Sequence, residues 1–224
     1  MFYYIEEKPQ SLFFDLIPKN ATTSALNSLV NYGNPNKDIV GDFYIYENLP
    51  DYPIRLNYDL EFINRLPYIE NLFKVTCFRD PYLRVVSAFA DKILNSRVKG
   101  FKFTEDFFTI YGKDLDVFRN DKIKYFDIFV DLIENFNPEK LNEHVKPQTR
   151  ILQFDFKEYD KIFNFSTISE DWKELTKIFP LLPDLPKQKV NKSTSDELLK
   201  IFQGRNLNKI KKIYEQDYEA LKII

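Results

Sequence analysis

Cysteine occurs once in this chain, at Cys77, and histidine once, at His144. A single thiol rules out an intrachain disulfide and a cysteine-based zinc site. A single imidazole rules out a multi-histidine metal centre and leaves a Ser/His/Asp triad only one possible base. No stretch approaches the ~20 apolar residues that span a bilayer. The first ten residues carry Glu6, Glu7, Lys8 and Pro9 and lack an apolar signal core. Together these absences lead us to expect a soluble, cytoplasmic protein with no metal. Neither sign of charge dominates: 32 basic residues face 34 acidic ones, for a net charge of −2. A global nucleic-acid binder is normally strongly basic, so nucleic acid is not an expected partner. Any anionic ligand must be held by a local site. No repeat, low-complexity linker or domain boundary is visible, and the expectation is one domain over residues 1–224.

Apolar material is ample, at 44% of residues, and aromatics make up 17%. Trp and Met appear once each against 22 Phe and 14 Tyr, so the core must be built from Phe and Tyr. Ser11 to Ile17 is a short apolar run ended by Pro18, which reads as a buried strand. A helix follows from Ala21 to Tyr32, with Leu26, Leu29 and Val30 at helical spacing. Residues 39–47 read as a second strand, Asn57 to Glu70 as a helix, and Leu72 to Phe78 as a third strand rich in β-formers. A long helix opens at Pro81, a residue suited to the first helical turn. Beyond it, helices are expected near 104–110, 122–136, 169–179, 195–203 and 206–222, with a short strand near Lys161 to Phe165. Pro180, Pro183 and Pro186 stiffen the segment before the last helices. Strands alternating with helices in the first half predict an α/β fold with a central, mostly parallel sheet and a helix-rich C-terminal half.

Two strand-to-helix turns carry the chemistry. The first is Pro18-Lys19-Asn20-Ala21-Thr22-Thr23-Ser24. Helix N-terminal amides lack intrahelical partners and carry partial positive charge, so an anion fits there. Lys19 adds a full charge, and Thr22, Thr23 and Ser24 add hydroxyls. The plainer alternative is that Thr22 or Thr23 only caps the helix. The order Gly-x-x-x-x-Gly-Lys-[Ser/Thr] is missing, which weakens an ATPase or kinase reading. The second turn runs from Phe78 through Arg79-Asp80-Pro81 to Ser87 and Phe89. Arg79 lies at the carboxyl end of a strand, where open α/β sheets bind ligands. Its permanently charged planar fork suits a phosphate, and Ser87 offers a hydroxyl. The alternative pairs Arg79 with Asp80 or another carboxylate and makes Ser87 a packing residue. Two such anion sites favour a ligand with two separated phosphates.

Together the two turns resemble those of the sulfotransferases that use 3′-phosphoadenosine 5′-phosphosulfate (PAPS). The first is similar to the family's 5′-phosphosulfate loop. The second matches the 3′-phosphate motif Arg-Asp-Pro-x-x-Arg-x-x-Ser-x-Phe from Arg79 to Phe89. The nearest likeness is to carbohydrate sulfotransferases of the chondroitin 4-O, HNK-1 and heparan 2-O type. Glu143-His144-Val145-Lys146-Pro147-Gln148 resembles their His-x-x-Pro-Gln segment. Tyr159 to Trp172, Val190 to Thr194 and Tyr214 to Tyr218 resemble later family segments. Ala21 stands where many relatives have glycine, although the carbohydrate branch often has alanine. The animal enzymes carry a membrane anchor and lumenal cysteines, which weighs against a Golgi glycosaminoglycan role.

The resemblance implies a P-loop-like three-layer α/β/α fold, PAPS as co-substrate, adenosine 3′,5′-bisphosphate (PAP) as product, and a carbohydrate hydroxyl as acceptor. It implies that Lys19, Asn20, Ala21, Thr22, Thr23 and Ser24 cradle the 5′-phosphosulfate, that Arg79 and Ser87 hold the 3′-phosphate, and that Lys192 or Ser193 closes over the nucleotide. Lys19 would stabilise the leaving phosphate oxygen. Candidates for the general base are His144, whose ordinary pKa suits the task, and Asp42 and Glu47 on the second strand. His144 has the structural alternative of a hydrogen-bonding residue beside Pro147. Tyr44, Tyr46 and Tyr52 would stack on an acceptor or pack in the core. A non-catalytic nucleotide-binding module of the same fold and a P-loop kinase-like enzyme stay open as other functions.

Overall fold

A computed structural model describes residues 2–5, 10–30, 54–57, 71–95, 107, 109–110, 120–185 and 192–224. By the packing of its backbone the chain divides into two compact units. The first comprises residues 1–78, 152–188 and 224, and the second 79–151 and 189–223. The first change of unit falls inside the Phe78–Phe89 motif. No linker composition marks it, so the sequence reads as continuous there.

The first unit is built on a sheet. Its strands are β1 (Phe2–Ile5), β2 (Ser11–Asp15), β3 (Ile54–Asn57), β4 (Leu72–Phe78) and β5 (Lys161–Asn164). The order across the sheet is β3-β1-β2-β4-β5. β2, β4 and β5 pair in parallel, with Asp15 opposite Thr76 and Cys77 opposite Phe163. β1 runs antiparallel to both β2 and β3, so it alone among the described strands runs counter to the rest. The expected α/β architecture is therefore present. β1 and β3 were not expected. Each has four residues, and each is held by pairing rather than by any pattern of its own. Asn57, expected to open a helix, ends β3, and residues 58–70 lie outside the described residues.

Every residue of β2 is buried, as a strand covered on both faces requires. Leu12, Phe14, Val75, Cys77 and Phe163 share one core. Helices α1 (Thr22–Val30) and α4 (Ile168–Ile178) cover it with Ala25, Leu26, Leu29, Ile168, Trp172 and Leu175. The Pro183 carbonyl ties both helices down, accepting from the Ser28 hydroxyl and, at 2.9 Å, from the Trp172 indole. The alternate residues Phe13, Asp15, Thr76 and Phe78 lie on the other face. There Phe154 packs edge-on against Phe13 at 5.0 Å and Phe156 against Phe78 at 5.6 Å. Each such ring pair contributes roughly 0.5–1.5 kcal/mol beyond the area it buries.

The second unit is helical. α2 (Pro81–Phe89) opens on Asp80, whose carboxylate accepts from the Leu83 amide at 2.9 Å. It continues through a wider turn over Ala90–Leu94, where the Asn95 amide bonds Ala90 O at 3.1 Å, five residues back. The other described helices are α3 (Lys122–Asn135), α5 (Lys192–Phe202), α6 (Leu207–Ile213) and α7 (Glu215–Leu221). Phe89, Phe126, Phe129 and Phe202 form the centre of the core, with Phe126 and Phe202 stacked at 4.0 Å. The expectation of a Phe-built core holds. The single helix expected over 206–222 is two helices. The chain leaves helical geometry at Tyr214, which has φ −111° and ψ 31°. No helix among the described residues is long and apolar enough to cross a membrane.

Candidate functional site

Pro18 and Lys19 form the middle of a tight turn. The Asn20 amide donates to Ile17 O at 3.1 Å, and Lys19 sits at φ 72°. Proline followed by a residue of positive φ is the pattern of a type II turn, whose third position normally takes glycine or asparagine. A lysine is held there instead. Ala21 is also left-handed, at φ 57°. Non-glycine residues at such angles store roughly 1–3 kcal/mol each and gather where a ligand is gripped. Alternating hand in a short segment also turns successive amides toward one point, which makes an anion-binding hollow.

Two further bonds hold the loop. The Thr22 hydroxyl donates to Ile17 O at 2.6 Å, and the Asn20 side-chain amide donates to Cys77 O of β4 at 2.7 Å. Asn20 is buried, so its side chain works as a strut between the loop and the neighbouring strand. The first helical bond runs from the Ala25 amide to Ala21 O at 2.9 Å, so α1 opens on Ala21. Alanine has no side-chain oxygen with which to cap, and it is among the poorest N-cap residues. The first-turn amides of Thr22, Thr23 and Ser24 thus lack the usual capping group of a helix start.

Just behind this loop, at the end of β2, lies the buried carboxylate of Asp15. Its Oδ2 accepts from the Gln153 amide at 2.8 Å and from the Tyr159 hydroxyl. Burial first, and the Asp15 charge second, push the Tyr159 hydroxyl far above its ordinary pKa. The Thr76 hydroxyl donates to Asp15 O at 3.2 Å. Neither Asp15 nor Tyr159 stands out in the sequence as part of a site. What would have revealed Asp15 is a carboxylate closing an otherwise apolar strand.

In the second unit, Arg79 opens the matching turn and is partly exposed. Asp80 caps α2, which gives it a role other than partner to Arg79. Arg84, the second arginine of the motif, is buried and points its guanidinium inward. It donates to Lys146 O at 2.7 Å and to Glu143 O. Burial lowers its pKa, and the nearby Tyr214, Asp217 and Glu143 oppose that shift. Its two acceptors lie on either side of His144. The His144 amide donates to Asn142 Oδ1 at 3.0 Å, and the ring Nδ1 meets the same oxygen at 2.7 Å. An oxygen that accepts the amide hydrogen must also accept from the ring. Nδ1 therefore carries the hydrogen, and Nε2 is the basic nitrogen.

The sequence description of the sulfotransferase family matches residues 3–222, almost the whole chain and both units. The chain belongs to the sulfotransferase family. No curated protein and no solved structure matches it.

In this sulfotransferase the described part of the first turn brings together Lys19, Asn20, Ala21, Thr22, Thr23 and Ser24 at the opening of α1. Arg79 and Ser87 share the second turn and its helix α2. Asp42, Glu47, Tyr44, Tyr46 and Tyr52 lie outside the described residues, as does the strand expected over 39–47. Lys192 is the first residue of α5. Gln148 is the residue that the sequence left without a role. It is fully buried, and its side-chain amide bonds the main chain of Arg79.

Proposed function

We propose that this sulfotransferase takes PAPS as its donor, passes the sulfonate group to a hydroxyl of a carbohydrate acceptor, and releases PAP. The observation that carries the reading is the Pro18–Ser24 loop. A lysine is held at φ 72° before a helix that opens on a left-handed alanine, at the carboxyl end of a buried parallel strand. Such a loop is organised for an anion, and a folding role alone gives no reason for the strain. The carbohydrate acceptor is supported by the motif likeness of Arg79–Phe89 and Glu143–Gln148. The family match spans both units, which supports treating the chain as one catalytic domain.

The roles follow from charge and donor geometry. The first-turn amides of α1 and the Lys19 ammonium hold the 5′-phosphosulfate. Lys19 neutralises charge that grows on the bridging oxygen as the sulfur–oxygen bond breaks, and the acceptor oxygen attacks sulfur in line. Arg79 and Ser87 hold the 3′-phosphate, and Lys192 closes over the nucleotide. A base takes the acceptor proton. His144 Nε2 is a candidate for this task, with Asp42 and Glu47 as the others. Catalysis of this kind rests on alignment and charge stabilisation.

Thermal unfolding tests the donor. Adenosine 3′,5′-bisphosphate without magnesium should raise the melting temperature by several degrees. At a hundredfold excess over its Kd, binding adds about 2.7 kcal/mol. Arg79→Ala should remove most of that rise. A rise with ATP and magnesium, and none with the bisphosphate, would replace this reading with a kinase-like one.

A further inference from the structure

We infer that Gln148 and Asp217 are positioning residues for Arg79, forming a buried relay from the C-terminal helix to the 3′-phosphate site. The inference rests on the reading of Arg79 given above. It starts from a clasp: the Arg79 amide donates to Gln148 Oε1 at 3.0 Å, and Gln148 Nε2 donates to Arg79 O at 2.8 Å. One side chain thus grips the peptide groups on both sides of the Arg79 Cα, as a neighbouring strand would. Gln148 is itself held. Asp217 Oδ2 accepts from its amide at 2.7 Å and from its Nε2 at 3.3 Å. Asp217 Oδ1 accepts from the Thr149 amide and the Thr149 hydroxyl, both at 2.9 Å. Four donors converge on one carboxylate with no exposed surface, which uses its acceptor capacity in full.

Helix anchoring alone does not require this arrangement. Burying a carboxylate costs several kcal/mol before its bonds offset the loss, and an apolar contact would anchor α7 without that cost. A hydrogen-bonded carboxylate fixes direction as well as position, and the clasp it orients ends on the residue assigned to the phosphate. Arg79 recognises a phosphate through a planar fork, so a main-chain shift of about 1 Å is enough to lose the fit. The relay also gives Gln148 and Asp217 a role, one in each of two sequence segments. Glu143–Gln148 and Tyr214–Tyr218 lie far apart in the chain and meet here. A second tie joins them, from the Tyr214 hydroxyl to Val145 O at 2.5 Å.

The test compares Kd for adenosine 3′,5′-bisphosphate and adenosine 5′-monophosphate, which differ only in the 3′-phosphate. The full-length wild type should prefer the bisphosphate, and Arg79→Ala should lose that preference. Gln148→Met, which keeps volume and removes both clasp bonds, should cut the preference about tenfold or more, the scale of a charge-assisted bond. Asp217→Asn should do the same. If the two substitutions merely weaken the fold, both ligands lose affinity together and the ratio stays at the wild-type value, which overturns the relay. If Arg79→Ala itself keeps the preference, or the wild type has none, the phosphate assignment falls, and the relay with it. Hydrogen exchange on the wild type decides the matter should the variants not fold. The bisphosphate should slow exchange at the amides of Arg79, Gln148 and Thr149 about tenfold more than the monophosphate does, matching the affinity that the 3′-phosphate adds through the relay. Equal protection by the two ligands overturns the inference.

Discussion

Lys19 and Ala21 sit at φ 72° and 57°, where a Cβ costs roughly 1–2 kcal/mol. Glycine accepts either angle at the expense of some unfolded-state entropy. Ala21→Gly should therefore stabilise the protein by about 1 kcal/mol, read as a higher urea midpoint at unchanged slope. Lys19→Gly should stabilise it similarly while lowering the rate of transfer about 10²–10³-fold. A protein that gains stability and loses function at one position reveals strain kept for chemistry. If Lys19→Gly lowers the midpoint, the strain argument fails. The sequence identified Lys19 by its charge beside a helix start. It did not disclose the strained turn, because positive φ is written in sequence mainly by glycine, and this loop has none. Asn20 and Thr22 were legible as polar loop residues. Their inward bonds to Cys77 O and Ile17 O depend on which strand lies next door.

Among the elements, β2, β4, α3 and α4 fall within two residues of their expected ends, because each combines a clear apolar period with a turn or cap. β1 and β3 were illegible for the opposite reason: each has only four residues, and β3 pairs with β1, which is distant in sequence. Gln148 and Asp217 were illegible as a pair because their contact arises only when α7 packs against the turn that carries Gln148. The Arg79–Phe89 motif was legible as a unit, and the structure distributes its parts. Asp80 caps α2, Arg84 braces the His144 loop, and Phe89 fills the core. Asp80→Ala should cost about 1 kcal/mol through the lost cap. Arg84→Met should cost more, about 2–4 kcal/mol, because it leaves two inward carbonyls without their charged donor. Urea unfolding measures both. A smaller loss for Arg84→Met than for Asp80→Ala would show that the brace is slack.

At the scale of the whole molecule, buried and half-buried tyrosines, Tyr159, Tyr214 and Tyr218 among them, set the alkaline limit. Burial is the largest cause for each: it raises Tyr159 and Tyr214 far above the ordinary value, with the Asp15 charge adding to it at Tyr159 and the Arg84 charge opposing it at Tyr214, and it pushes Tyr218 up to about 12. Below about pH 10 these hydroxyls are neutral in both folded and unfolded chains, and their contribution is complete. Above it, the unfolded chain releases protons that the folded chain keeps. Stability should then fall with rising pH, by about 1.4 kcal/mol per pH unit for each such group. The share of Tyr218 levels off once pH passes about 12. Tyr159→Phe should remove one share of the slope between pH 10 and 11, whatever it does to stability at pH 8. A slope unchanged by that substitution would show that Tyr159 ionises as freely folded as unfolded.

The proposed transfer of sulfonate from PAPS depends on Lys19, and labelled sulfonate followed from PAPS into a panel of carbohydrate acceptors measures that dependence. The wild type should label at least one acceptor. Lys19→Ala should lower the rate by about 10²–10³-fold, the scale of one lost charge-stabilising donor, with the unfolding midpoint retained. Labelling that persists undiminished in Lys19→Ala would rule out that role for Lys19.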